Sequence, residues 1–339
     1  SLTADFGPVT LTGPGNSFSP ELFVAKLTNA GTNTAWSWAV QGSGATRLRH
    51  VNGLAVQGSN VYAVGEFNSP TLTLDGTTLA NAGGTSGSRD GFVAKFNDLG
   101  ASASLGWLQP VAGNDDETVS AVAVSSVGVY VAGDFSSAAA TVGLRPVVNS
   151  NPGQGFSDAF VARLSDNGSS STVDWTATSQ GSGYEVVRGL AASGPVVYAV
   201  GAYSSTGTQF GSTNLPSSGG DDIFVTRLND YGTNGSFAWA TAAGGSSGDA
   251  ATTVGLTPKG LYVAGFFNSL SCNFGSTTLT QATPTGDAFV TRLTDNGSSA
   301  VFDWAQGGGG SDRDGADDLA LAGGRVWLGG YTGAAPASF

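Results

Sequence analysis

The sequence predicts an all-β protein, and within that class a five-bladed β-propeller of four-stranded antiparallel blades. Three observations carry the expectation: a composition suited to strands and tight turns, a repeat that keeps register through five copies, and the lack of any capped stretch with helical periodicity. Of 339 residues 53 are Gly, 40% are hydrophobic, 10% are aromatic and only 11% are charged. An average soluble domain carries about 25% charged residues. Val, Thr, Phe and Trp fit a pleated, half-buried surface, and Gly supplies the turns between strands.

The repeat is read from three landmarks. A Phe-Val-x-[Lys/Arg]-[Leu/Phe] string begins at Phe23, Phe92, Phe160, Phe224 and Phe289. Fifteen residues after each Phe stands a Trp: Trp38, Trp107, Trp175, Trp239 and Trp304. An aromatic followed by x-x-Gly completes the unit, with Tyr62, Tyr130, Tyr198, Tyr262 and Trp327 leading to Gly65, Gly133, Gly201, Gly265 and Gly330. Within one copy, Val119–Ser125, Gly128–Phe135, Asp158–Ser165 and Val173–Thr178 run apolar or alternate as strands do. Turns such as Asn229–Gly232 and Asp295–Gly297 separate the last two strands. Four antiparallel strands at a fixed period describe a propeller blade. The unit exceeds the ~40–45 residues of common propeller repeats. Its excess falls between the second and third strands, where Gly76 precedes Leu79, Gly211 precedes Leu215 and Gly275 precedes Leu279. That pattern reads as an added hairpin or ordered loop.

The ends of the sequence complement each other. Residues 1–41 hold the last two strands of a blade, residues 312–339 hold the first two, and Phe339 aligns with Phe6. A single propeller domain over 1–339 follows, its last blade shared between about 1–41 and 312–339. Joining the termini in this way removes the exposed edge of an open sheet. Met is absent even at position 1, which points to an internal or processed piece, a monomeric domain of a larger chain.

A net charge of -12 repels a phosphate backbone, so nucleic acid is excluded as a partner, and an anionic membrane surface with it. No apolar run approaches the ~18 residues of a membrane span. One Cys leaves no internal disulfide.

The units resemble the bacterial β-propeller repeats known as SBBP. The residues that carry the resemblance are Asp287-Ala288-Phe289-Val290-Thr291-Arg292-Leu293, Trp304, Gly307-Gly308, Gly309-Gly310, Asp314 and Val326-Trp327-Leu328-Gly329-Gly330. It covers roughly residues 21–333. Where such repeats place Asp-x-x-Gly-Asn before the second strand, this chain has Gly58-Ser59-Asn60, Val127-Gly128 and Lys259-Gly260. The label also implies seven blades, against five counted here. The resemblance implies a secreted or surface-attached bacterial protein.

Several chemistries are struck out. His50 is the only histidine, and Arg47 and Arg49 beside it disfavour the imidazolium that general-base catalysis creates. Cys272 aligns with Thr208 and reads as a packed thiol. Clusters of Cys and His for zinc are missing, as is a phosphate-binding loop ahead of a helix. The recurring aromatics read as packing between blades. The acidic residue two before each Phe (Glu21, Asp90, Asp158, Asp222, Asp287) and the basic one three after it (Lys26, Lys95, Arg163, Arg227, Arg292) read as hydrogen bonds between blades or as turn caps.

One set gathers carboxylates. Thirteen residues before each second-strand aromatic stand Arg49, Glu117, Glu185, Asp249 and Asp314, at the start of each first strand. In a propeller that strand lines the central channel, so five-fold closure would bring these side chains around one mouth. Asp115, Asp116, Asp312 and Asp317 stand nearby. A solvated acidic rim is one reading. Glu117, Glu185, Asp249 and Asp314 around a hard cation such as Ca2+ is another, with no cofactor required otherwise. Three residues further on the copies differ: Asn52, Ser120, Arg188, Thr252 and Asp317. Shared positions serve the scaffold, so ligand contact is expected at Arg49, Asn52, Glu117, Glu185, Arg188 and Asp317. Variable loops at 83–89 and 145–156 suit recognition as well.

The function that follows is a non-catalytic secreted or cell-surface module for binding, adhesion or structure, with a surface glycan or another extracellular protein as partner. A lectin with sites between blades is the alternative. A glycoside hydrolase with carboxylates at the channel mouth comes after it, because near-equivalent repeat positions argue against the distinct environments its two carboxylates need.

Overall fold

In a computed structural model of the chain, residues 3–13, 21–44, 49–84, 87–281 and 283–333 are described. All of their regular structure is β, and all of the pairings are antiparallel. A hairpin of β1 (Thr3–Phe6) and β2 (Val9–Thr12) leads to β3 (Phe23–Asn29) and β4 (Thr34–Ser43). Next come β5 (Arg49–Gln57), β6 (Asn60–Phe67), β7 (Thr71–Leu74), β8 (Thr77–Ala80), β9 (Asp90–Asp98) and β10 (Ala103–Ala112). The following repeat holds β11 (Glu117–Ser125), β12 (Gly128–Phe135), β13 (Ala139–Val142), β14 (Arg145–Val148), β15 (Asp158–Asp166) and β16 (Ser171–Gln180). After it run β17 (Glu185–Ser193), β18 (Val196–Tyr203), β19 (Gln209–Phe210), β20 (Thr213–Asn214), β21 (Asp222–Asp230) and β22 (Gly235–Ala243). The last stretch is β23 (Asp249–Thr257), β24 (Gly260–Phe267), β25 (Ser271–Phe274), β26 (Thr277–Thr280), β27 (Asp287–Asp295), β28 (Ala300–Gly308), β29 (Asp314–Ala322) and β30 (Arg325–Thr332).

Four units are complete: β5-β6-β9-β10, β11-β12-β15-β16, β17-β18-β21-β22 and β23-β24-β27-β28. Their first strands lie side by side, β5 by β11, β11 by β17, β17 by β23 and β23 by β29. The fourth strands spread apart, and the inserted hairpins fill the space. Each of β7-β8, β13-β14 and β19-β20 extends the fourth strand of the unit before its own: Gly42 pairs with Leu74, Val111 with Val142 and Ser179 with Phe210. The β25-β26 hairpin reaches back through a bridge from Gly244 to Asn273. Phe210 and Phe274 meanwhile pack on their own units, at ring distances of 4.6 Å from Phe224 and 4.9 Å from Phe289. The excess length is thus a clasp that covers an outer edge strand.

All five first strands carry a β-bulge at the same place. Register shifts between Val51 and Gly53, Val119 and Ala121, Val187 and Gly189, Ala251 and Thr253, and Ala316 and Asp318. The repeat's glycine answers it. A side-chain carbon on Gly65 would stand 1.8 Å from the His50 carbonyl oxygen, and one on Gly133 1.8 Å from that of Thr118. No other residue fits where the bulged strand crosses so closely.

One carboxylate organises each junction between units. Asp230, on the third strand of its unit, accepts the Trp175 indole N–H at 2.9 Å and the Tyr130 hydroxyl at 2.7 Å, and pairs with Arg163 at 2.9 Å. Its Oδ1 also accepts the Gly232 N–H of its own turn at 2.7 Å. Asp166 repeats the pattern with Trp107, Tyr62 and Lys95, and Asp295 with Trp239, Tyr198 and Arg227. At the first junction Asp98 takes Trp38 and Lys26. The basic residues Lys26, Lys95, Arg163 and Arg227 therefore serve the next unit, with the landmark Trp of the same unit as a second donor, whereas Arg292 pairs with Asp303 of its own unit. Asn29 holds the equivalent position in β3 and accepts the Gly31 N–H at 3.0 Å.

The terminal half-units remain open. The sheets contain β29-β30 and β3-β4-β7-β8 separately, so the expected sharing of one blade between the ends is not among the pairings, and among the described residues no strand pairs with the outer edges of β30 and β3. Phe339 lies outside the described residues.

Removing one member of a buried charged pair costs about 3–5 kcal/mol. Asp230→Ala is therefore expected to shift the urea unfolding midpoint strongly. Asp303→Ala removes contacts to the part-exposed Arg292 and to Thr294 within one unit, and is expected to shift the midpoint far less.

Candidate binding site

The carboxylates at the start of the first strands are buried, with no accessible surface on Glu117, Glu185, Asp249 or Asp314. Each is held in a niche of its own, so the solvated rim expected from sequence is not what they form. Glu117 accepts the Ser137 N–H, and Glu185 accepts the Thr208 hydroxyl at 2.7 Å. Asp249 accepts the Ser269 hydroxyl at 2.7 Å, and Asp314 the Gly310 N–H at 2.7 Å. The side chain of Arg49 lies outside the described residues, as does Arg47.

In each niche a second carboxyl arrives from the preceding unit: Asp90 beside Glu117, Asp158 beside Glu185, Asp222 beside Asp249 and Asp287 beside Asp314. Asp90 Oδ1, Glu117 Oε2, Glu185 Oε2, Asp222 Oδ1 and Asp287 Oδ1 are buried without a hydrogen-bond partner. Glu185 and Asp158 hydrogen-bond to each other, which requires a proton between the two carboxyls. Burial pushes the acids up accordingly, Glu117 to about 8, Glu185 to about 7, and Asp90 and Asp222 to about 6. Space is tight as well: a side-chain carbon at Gly181 would stand 2.1 Å from Glu185 Oε1. Among the described residues, no three His, Cys, Asp or Glu side chains are grouped to hold a metal ion.

The copy-specific residues have a structural identity that the sequence hid. Asn52, Ser120, Arg188, Thr252 and Asp317 are the bulged residues of the five first strands. A bulge re-aims the side chain it carries. Asn52 Nδ2 donates to the Val119 carbonyl of the next unit at 3.1 Å, and Thr252 Oγ1 to that of Ala316 at 2.7 Å. Arg188 and Asp317 are exposed.

A second variable position lies beside them. The residue after each repeat glycine is Glu66, Asp134, Ala202, Phe266 or Tyr331. Asn52 also donates to Glu66. Burial raises the Asp134 carboxyl to about 7, against the pull of Arg89 and Arg188. Arg89 in turn pairs with Asp116 at 2.8 Å. In the later units Arg313 lies between two rings, 5.8 Å from Phe266 and 5.5 Å from Tyr331. This end of the inner strands is charged along one part of the arc and aromatic along another. Sequence reasoning missed Glu66, Asp134, Phe266 and Tyr331. Their signal was extreme variation directly after the repeat's most constant residue.

No protein-family model matches the chain, and no curated protein matches it. The remaining singletons have structural places: His50 is exposed on β5, and Cys272 is fully buried, its thiol pushed up by burial and by Asp249 and Asp222.

Two families of carboxyl groups set opposite pH limits. The niche acids bind a proton more tightly folded than unfolded, so the stability they give is complete below about pH 4 and lost as pH rises toward 8. Lys26 and then Trp38 hold the junction carboxylate Asp98 below its ordinary value. Burial would raise Asp166 and Asp295, but Lys95 and Tyr62, and Tyr198 and the Gly297 N–H, bring them down overall. Their contribution is present above about pH 4 and lost below it. The melting temperature is expected to peak near about pH 5 and fall by pH 9, and Glu117→Gln with Glu185→Gln should shrink that alkaline fall. A melting temperature flat from pH 5 to pH 9 would contradict the protonated pairs.

Proposed function

We propose that this chain is a non-catalytic binding module of a secreted or cell-surface protein, built as a propeller of five blade equivalents. Four blades are whole, and the fifth is completed where a β30 edge meets a β3 edge. The observation that carries the reading is a division of labour. Within the complete units the recurring side chains are largely consumed in the junctions, while side chains that differ from copy to copy stand on the inner strands and at their ends. Such a surface is asymmetric and suits one ligand of defined shape, a surface glycan or a segment of an extracellular protein. The resemblance to exported propeller repeats supports the same location.

The competing readings lose their residues to the scaffold. A lectin with equivalent sites between blades needs exposed aromatics there, yet Trp38, Trp107, Trp175 and Trp239 are buried at the junctions. A glycosidase needs carboxylates that reach a substrate, and Glu117, Glu185, Asp249 and Asp314 have no accessible surface. The niche carboxyls are buried, and no three His, Cys, Asp or Glu side chains among the described residues are grouped to hold Ca2+.

Arrays of glycans and of extracellular proteins, probed in Ca2+ and again in chelator, test the reading. Binding is expected in both conditions, weakened ~10-fold or more, about 1.4 kcal/mol, by Glu66→Ala with Asp134→Ala. Turnover of a glycan, binding indifferent to those substitutions, or no binding on either array would overturn it.

A further inference from the structure

The two open ends of the chain lack complementary pieces. β3 is a third strand without a second strand beside it, and Phe23 is 50% exposed where Phe92, Phe160, Phe224 and Phe289 are buried. Leu27 is exposed where Phe96, Leu164, Leu228 and Leu293 are buried. On β5, Leu54 and Val56 are 55% and 62% exposed. Their counterparts Val122 and Val124 pack against a core cluster that includes Tyr62 and Val64 of the preceding unit, and Leu190 and Ala192 pack against one that includes Tyr130 and Ala132. What is missing at this end is a first and second strand, the pair that β29 and β30 form.

At the other end the deficit is inverted. β30 is a second strand without a third, and Trp327 is 58% exposed where Tyr62 and Tyr130 are buried. Leu328 and Tyr331 are exposed as well. An apolar trough of about 430 Å³ runs along the strand, lined by Ala288, Ala316, Trp327 and Leu328. Trp304 is only half-buried, whereas the other four landmark Trp residues are buried, each against the third-strand turn of the next unit. The missing pieces here are a third and fourth strand, which β3 and β4 form, with Asn29 in the turn that would face Trp304.

We propose that the two ends bind each other between copies of this chain, head to tail, the β30 edge of one copy pairing with the β3 edge of the next. The occupant is a second copy because within one chain the two edges stand unpaired, while each end carries the pair of strands the other lacks. The inference rests on the reading of the fold as propeller blades. The complete units fix the register: Tyr62 opposes Lys95, Ala63 opposes Ala94, Gly65 opposes Phe92 and Phe67 opposes Asp90. By the same offsets Trp327 meets Lys26, Leu328 meets Ala25, Gly330 meets Phe23 and Thr332 meets Glu21. A slip of one residue would turn Phe23 and Leu27 to the wrong face, so this register is the one the apolar pattern selects. The β1-β2 hairpin of the next copy then falls beside β28 of the first, with Phe6 opposite Gly308, as Phe210 stands opposite Ser179. Backbone pairing along an exposed edge supplies affinity, and the alternate side chains supply specificity. Such a contact is heterologous, so it builds a closed ring or an extended filament according to the rotation per copy.

Two full-length single variants, Ala25→Cys and Leu328→Cys, test it when mixed under mild oxidation. Directly opposed strand residues lie within disulfide reach, and the buried Cys272 does not compete. The expected result is a covalent dimer in the mixture and in neither variant alone, lost when Trp327→Asp is added to the Leu328→Cys chain. Light scattering of the unmodified chain should show mass rising with concentration. The double variant Ala25→Cys/Leu328→Cys separates the failures. An intrachain disulfide in a monomer, with no dimer in the mixture, means that one chain closes its own ring: the fold reading stands and the second copy is overturned. Absence of either disulfide overturns both.

Discussion

The aspartate at the end of each third strand is the contact on which the rest of this structure depends. It reaches out of its own unit to receive an indole N–H, a phenol and a cation from the unit before, while a glycine N–H in its own turn holds it in place. A carboxylate so fully used is a strong acceptor, and its donors are large aromatic side chains that must be buried anyway. Position and packing are therefore set by one group. Remove it, and a phenol and an indole lose a partner together, and the Arg163 guanidinium is left with Asp174 alone as its carboxylate.

From that contact follows the separation between scaffold and surface. Constant residues fall into two layers at each junction, the aspartate surrounded by donors and the buried carboxyl pair nearer the start of the next first strand. Donors bring Asp98, Asp166 and Asp295 down overall, whereas burial pushes Glu117, Glu185, Asp90 and Asp222 up. What varies from copy to copy sits on the bulges, which occur in every first strand yet carry a different side chain in each. The fold thus keeps the geometry of a position constant and leaves its chemistry free.

Much of this was legible in the sequence. The five Phe strings, the Trp and the aromatic-x-x-Gly landmarks gave the repeat, the strands and the added hairpin, because each landmark is pinned by a steric or hydrogen-bonding requirement that recurs. The partners of the basic residues were read only as far as the possibility of contact between blades. The aspartates that receive them, Asp98, Asp166, Asp230 and Asp295, looked like turn residues, and turn chemistry alone explains Asp followed by Gly. Burial was the harder quantity. Glu117 and Asp314 looked like a rim because four acids in register suggest solvent, and a single sequence does not reveal that a second acid arrives from the neighbouring unit to share a proton. The uncovered edges at β3 and β30 depend on curvature, which residue patterns do not encode.

The central claim is that the junction aspartate and the landmark Trp act as one unit across two repeats. A double-mutant cycle between Trp175→Phe and Asp230→Asn, read by urea unfolding, tests it directly. Groups in one hydrogen-bonded network couple by about 0.5–3 kcal/mol, and the account predicts a coupling of about 1 kcal/mol or more. Additivity within about 0.3 kcal/mol would mean that Trp175 is held by packing alone, and that the aspartate does not organise the junction.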